Sequence, residues 1–102
     1  MAHELQGRHA LITGAGAGIG AAIALDLAQA GSRLTLCGRS QDKLQAQAEA
    51  LRAQVPDVAV MIAPMDVADE YAVQAAVQQA QARLGPVNIL VNNAGQAHSA
   101  PF

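Results

Sequence analysis

Four glycines fall at alternate positions in the segment Thr13-Gly14-Ala15-Gly16-Ala17-Gly18-Ile19-Gly20, between a short apolar run and an alanine-rich stretch of helical spacing. This junction constrains the chain more than any other feature. A strand that turns through glycines into a helix leaves backbone N–H groups bare at the positive helix end. Proteins hold a phosphate, or the pyrophosphate of a dinucleotide, at such a place. Gly14 allows the sharp turn off the strand, and Gly18 and Gly20 let the helix start approach a ligand with no Cβ between. The amides around Ala17, Gly18 and Ile19 face the phosphates in this reading, and Gly16 lines the turn. The spacing departs from the common G-x-G-x-x-G pattern, because position 19 is Ile. The same glycines would also suit a turn made only for packing.

The flanking sequence supplies the alternation that such a site requires. Arg8–Thr13 reads as a first strand, and residues 18–30 as a helix ended by Gly31. Ile19, Ala22, Ile23 and Leu27 recur at helical spacing and predict its buried face. Leu34–Cys37 is a second strand, stopped by Gly38. Ser40 is the N-cap expected for a second helix, with Leu44, Ala48 and Leu51 inward. Val58–Ile62 follows Pro56 as a third strand. Asp69 opens a third helix with Val73, Ala76, Val77, Ala80 and Leu84 inward, closed by Gly85-Pro86. Val87–Val91 is a fourth strand. The order is βαβαβαβ, and right-handed crossovers then impose a parallel sheet; the strand order expected is 3-2-1-4. The crevice lies where strands one and four diverge. Both the glycine run and Asn92-Asn93-Ala94-Gly95 follow those strand ends.

Composition narrows the class. The chain of 102 residues is 52% hydrophobic with one Tyr, one Phe and no Trp, so its core is aliphatic, as suits a parallel sheet covered on both faces. A net charge of −2 with no basic stripe argues against nucleic acid or an anionic membrane as partner. The opening residues carry no apolar run of the secretory kind, no stretch is long enough to span a bilayer, and Cys37 is alone. These features predict a soluble cytoplasmic protein.

The Thr13-Gly14-x-x-x-Gly18-x-Gly20 spacing, Asn92-Asn93-Ala94-Gly95 and the overall layout together resemble the short-chain dehydrogenase/reductase family. The resemblance runs over essentially the whole chain and corresponds to the N-terminal portion of a member. It implies a Rossmann-like, doubly wound, three-layer α/β/α fold, of which residues 1–102 form the first part of a single coenzyme-binding domain. The activity implied is hydride transfer between a nicotinamide and a carbonyl or alcohol substrate. NAD-binding members place an acidic residue at the end of strand two. Here the position is Gly38, followed by Arg39 and Ser40. A guanidinium and a hydroxyl suit a 2′-phosphate, so NADP(H) is expected over NAD(H). A second basic residue, present in some NADP-preferring members before the middle glycine, is replaced by Ala17. Arg39 would otherwise be a solvated loop charge. The resemblance gives Asp66 the adenine amino group and Val67 the adenine ring, although Asp66 also suits an Asx turn into the third helix, and the two roles are compatible. Asn93, Ala94 and Gly95 fall on the nicotinamide ribose, while Asn92 is equally suited to joining strands.

No catalytic residue is assigned within these residues. Members use Ser, Tyr, Lys and Asn for acid–base work, and Tyr71 is not part of a Tyr-x-x-x-Lys pair, because position 75 is Ala. Tyr71 is expected as a half-exposed packing residue, His98 and Ser99 as loop residues, and Asp69-Glu70 as helix-start acids. His3 and His9 lack metal-ligand spacing, and no metal is expected. Two readings of function remain. One is an active oxidoreductase whose catalytic part lies elsewhere, homo-oligomeric (tetramer or dimer) by family habit. The other is a truncated dinucleotide-binding module. A mononucleotide or S-adenosylmethionine site is disfavoured by the missing acidic ribose clamp.

Overall fold

The computed structural model describes residues 4–16 and 18–93. Its elements alternate as β1 (His9–Thr13), α1 (Gly18–Gln29), β2 (Arg33–Gly38), α2 (Gln41–Gln54), β3 (Val60–Pro64), α3 (Glu70–Leu84) and β4 (Ile89–Asn92). The four strands form one parallel sheet in the order β3-β2-β1-β4. The doubly wound α/β architecture expected from the alternation is therefore present.

Strand alternation sorts the core into two layers. Ala10, Ile12, Leu34 and Leu36 point to one face and pack with Ala24 and Ala28 of α1 and with Leu44, Ala48 and Leu51 of α2. Leu11, Cys37 and Ala63 point to the other face and meet Ala76 and Ala80 of α3. Burying both faces explains why the strands read as near-continuous apolar runs.

The caps follow local chemistry. Ser40 Oγ accepts from Lys43 N at 3.3 Å, and Asp69 Oδ1 accepts from the amides of Tyr71 and Ala72 at 3.1 Å each. Each satisfies donors that the first helical turn leaves open. Gly85 closes α3 at φ +89, where a Cβ would be strained.

Several expectations are corrected. Helix α1 turns Gly20, Ala24 and Ala28 inward, and Ile19 is 65% exposed. Asp26 and Gln29 are its only polar side chains, so apolar spacing could not define an inward face. Close approach to the sheet selects the smallest residues instead. Strand β3 begins two residues later than expected. The amide of Val58 still bonds Val55 O in a turn at 2.9 Å, and pairing starts with Leu34 opposite Val60. It ends at Pro64, which an edge strand tolerates because no ladder donor is lost there. Strand β4 likewise starts at Ile89, since Asn88 is engaged by His9 first: Asn88 N donates to His9 O and His9 N to Asn88 Oδ1, both at 2.9 Å. Tyr71 is 83% exposed and packs against little.

His9 has a structural role that spacing did not suggest. It is buried, with Nδ1 2.7 Å from Gly85 O and Nε2 2.7 Å from Thr35 Oγ1. A carbonyl only accepts, so in the neutral ring Nδ1 donates and Nε2 accepts from the Thr35 hydroxyl. One side chain thus ties the start of β1 to β2 and to the α3–β4 turn.

Candidate functional site

Parallel pairing brings three strand ends to one edge. Thr13 lies opposite Cys37 on β2 and opposite Asn92 on β4. Beyond them the chain is held by backbone bonds. Ala15 N donates to Cys37 O at 3.1 Å, and Met65 N to Gly38 O at 2.7 Å. The glycine turn, the end of β2 and the segment after β3 therefore form one continuous rim.

Thr13 and Asn93 brace that rim. The Thr13 hydroxyl lies 3.3 Å from Val91 O and 3.2 Å from Asn92 Oδ1, and its oxygen accepts from Asn93 N at 3.0 Å. Asn93 Nδ2 donates to Gly14 O at 3.1 Å. Asn92 joins strands, as one of its two expected roles required. Asn93, expected on the coenzyme, is here engaged with the glycine turn. The arrangement fixes the Gly14 carbonyl at the head of the turn.

The turn needs its glycines for specific reasons. Gly14 sits at φ +66. A Cβ on Gly20 would run into Gly14 O and stand 2.8 Å from Asn93 Nδ2. This packing between strand end and helix start sets how closely the first turn of α1 approaches the rim.

Beside the turn lies a cavity of about 270 Å³, lined by Gly14, Gly16, Gly38, Arg39, Ser40, Lys43 and Leu44. Four residues assigned from sequence, Gly14, Gly16, Arg39 and Ser40, meet here. The Arg39 side chain is 82% exposed, and its Nη2 lies 3.6 Å from Asp66 Oδ2. Asp66 also accepts the Ala68 amide at 2.9 Å, which is the expected Asx turn. Asp66 therefore adjoins the cavity through Arg39 and keeps the local role anticipated for it. Val67 is 41% exposed. Gly18 and Ile19 are exposed at the start of α1, beside the same rim. Ala17, Ala94, Gly95, His98 and Ser99 fall outside the described residues, as does His3.

Sequence reasoning missed Lys43 and Leu44 as lining residues. Lys43 stands three residues past the Ser40 cap, so it sits on the first turn of α2, and that spacing was the available signal. Cys37 lies beneath this rim, buried in the α3-side core. Burial pushes its thiol pKa from 9.0 to about 11, so it is inert near neutrality. Among the described residues no group of three or more His, Cys, Asp or Glu is placed to hold a metal. No described helix is long and apolar enough to cross a membrane.

The lining combines two cations and a hydroxyl with no carboxylate, beside a glycine turn. That donor set fits a phosphate-bearing nucleotide.

Comparison with known proteins agrees with the fold. Residues 8–102 match the family model for short chain dehydrogenases. A 3-ketodihydrosphingosine reductase of Bos taurus is 40% identical over 101 residues, covering 96% of this chain and 30% of that protein. The L-sorbose reductase of Gluconobacter frateurii, solved with NADPH and L-sorbose, is similar in structure at TM-score 0.86 and 38% identity, over 93% of this chain and 36% of that one. An NADPH-bound short chain oxidoreductase of Pseudomonas aeruginosa with an atypical catalytic center gives TM-score 0.88 and 36% identity, over 92% and 37%. The chain spans about a third of the length of the relatives it matches.

Proposed function

The chain belongs to the short-chain dehydrogenase family, and on that premise we propose that the protein carrying it is an oxidoreductase preferring NADP(H) to NAD(H). Its substrate is a small carbonyl compound or the corresponding alcohol. The turn residues Gly14, Gly16, Ala17, Gly18, Ile19 and Gly20 hold the diphosphate, Arg39 and Ser40 the adenosine 2′-phosphate, and Asp66 and Val67 the adenine. Asn93, Ala94 and Gly95 border the nicotinamide ribose. When bound, the nicotinamide supplies or accepts the hydride. Residues 1–102 form the first part of the coenzyme domain and contribute binding and orientation only. Proton transfer falls to residues outside them.

The observation that supports this reading best is the cavity wall itself. An NAD-selective site sets a carboxylate against the ribose hydroxyls. Here Gly38 leaves that position without a side chain, and the next residues are a guanidinium and a hydroxyl. A charge-assisted pair of this kind contributes about 1.5–3 kcal/mol. Arg39→Ala in the intact protein should therefore raise the Kd for NADPH by about tenfold to a hundredfold and leave NADH nearly unchanged, as read by calorimetry. Uptake of neither coenzyme, or equal binding of both regardless of Arg39, would overturn the proposal.

A further inference from the structure

We infer that Lys43 is a second cation for the 2′-phosphate and a determinant of coenzyme choice, an inference that rests on the coenzyme reading above. The second basic residue looked for in the glycine turn is absent, since position 17 is Ala. The fold supplies a lysine from the first turn of α2 instead. Lys43 lines the same cavity as Arg39 and Ser40.

Three features set it apart from an ordinary surface lysine. Its backbone is fixed, because its amide is the one that Ser40 Oγ accepts. Its stem lies against the glycine turn, where a Cβ on Gly16 would come within 3.1 Å of Lys43 Cβ. Among the described residues its ammonium has no hydrogen-bond or ion-pair partner, whereas the other cation in the wall, Arg39, is already paired with Asp66 at 3.6 Å. A 2′-phosphate is close to a dianion. The Arg39–Asp66 pair carries no net charge, so Lys43 brings the uncompensated positive charge. Its four-carbon stem lets the ammonium adjust to a phosphate that Arg39 grips in a fixed fork. Ser40 contributes as well, since accepting the Lys43 amide leaves its hydroxyl proton free to donate. A ribose diol calls on none of this charge, so the effect belongs to NADP(H) alone.

The test is calorimetry of the intact protein with NADPH, NADH, adenosine 2′-monophosphate and adenosine 5′-monophosphate, for wild type, Lys43→Gln and Lys43→Arg. Lys43→Gln keeps most of the stem, and the site is exposed, so folding is not at stake. Expected is a roughly tenfold weaker binding of NADPH and of the 2′-monophosphate, with weaker dependence on ionic strength. NADH and the 5′-monophosphate should stay within about twofold, and Lys43→Arg should restore most of the NADPH affinity. A wild type that prefers NADPH while Lys43→Gln leaves that preference unaltered, or weakens both coenzymes alike, overturns this inference alone. A wild type that takes up neither coenzyme overturns the coenzyme reading and this inference with it.

Discussion

The two ends of the sheet handle polar groups in opposite ways. Where the strands begin, His9 is buried, and its backbone amide and both ring nitrogens are bonded within the protein, to Asn88, Gly85 and Thr35. Where they finish, Arg39 is largely exposed, Lys43 is unpaired among the described residues, and glycines hold the backbone open. Cavity size does not separate the ends. A larger cavity of about 410 Å³ lies at the beginning end, but its lining includes both Arg33 and Asp57 and so offers no single sign of charge. At the first end His9 commits its hydrogen bonds to the fold, whereas at the second the cationic side chains of Arg39 and Lys43 stand exposed.

Substitutions can break this contrast. The largest effect is expected from Gly20→Ala, whose Cβ meets backbone and the Asn93 amide rather than a flexible side-chain tip. Overpacking of this kind costs about 3 kcal/mol. Because the displaced atoms form the rim, NADPH affinity should fall by about tenfold or more as well. Urea unfolding and calorimetry would report both losses, and retained affinity would show that the rim does not depend on that contact.

His9→Ala is the counterpart at the other end. It leaves the Thr35 hydroxyl and the Gly85 carbonyl without their partner, so a loss of about 2–3 kcal/mol is expected. NADPH affinity should stay within about twofold. A large loss of affinity with little loss of stability would mean that the two ends are not separable.

The smallest effect concerns Cys37, which lies under the open end yet is buried. Its pKa is about 11 in the fold against 9.0 for a free thiol. The unfolded chain therefore releases this proton first as pH rises. The contribution to stability is intact below pH 9 and is lost between pH 9 and about 11, at up to about 1.4 kcal/mol per pH unit. Thiol labelling at pH 8 should proceed only as fast as unfolding. Rapid labelling of the folded protein would show that the open end extends into the core.

Most of the fold was legible in the sequence because its signals are local. Ser40 and Asp69 cap helices through bonds spanning two or three residues, and Leu44, Ala48 and Leu51 mark the inward face of α2 against polar neighbours. Helix α1 lacked such contrast, so spacing chose Ile19 where packing chose Gly20. Among the residues lining the cavity, Gly14, Gly16, Arg39 and Ser40 were legible because each lies in a motif at a strand end. Lys43 was not, because it reads as one of several charges on an exposed helix face until α2 is placed against the turn.

The amino-acid order by itself determined the alternation of elements, the parallel pairing of the strands and the glycine turn, since these follow from periodicity, backbone freedom and crossover handedness. Only the tertiary structure decided that Asn93 holds Gly14 across 79 residues, that Asp66 holds Arg39, and that Lys43 faces Gly16. Those contacts depend on strand register and on how closely each helix lies against the sheet. Both are set by packing over the whole molecule, which no local pattern records.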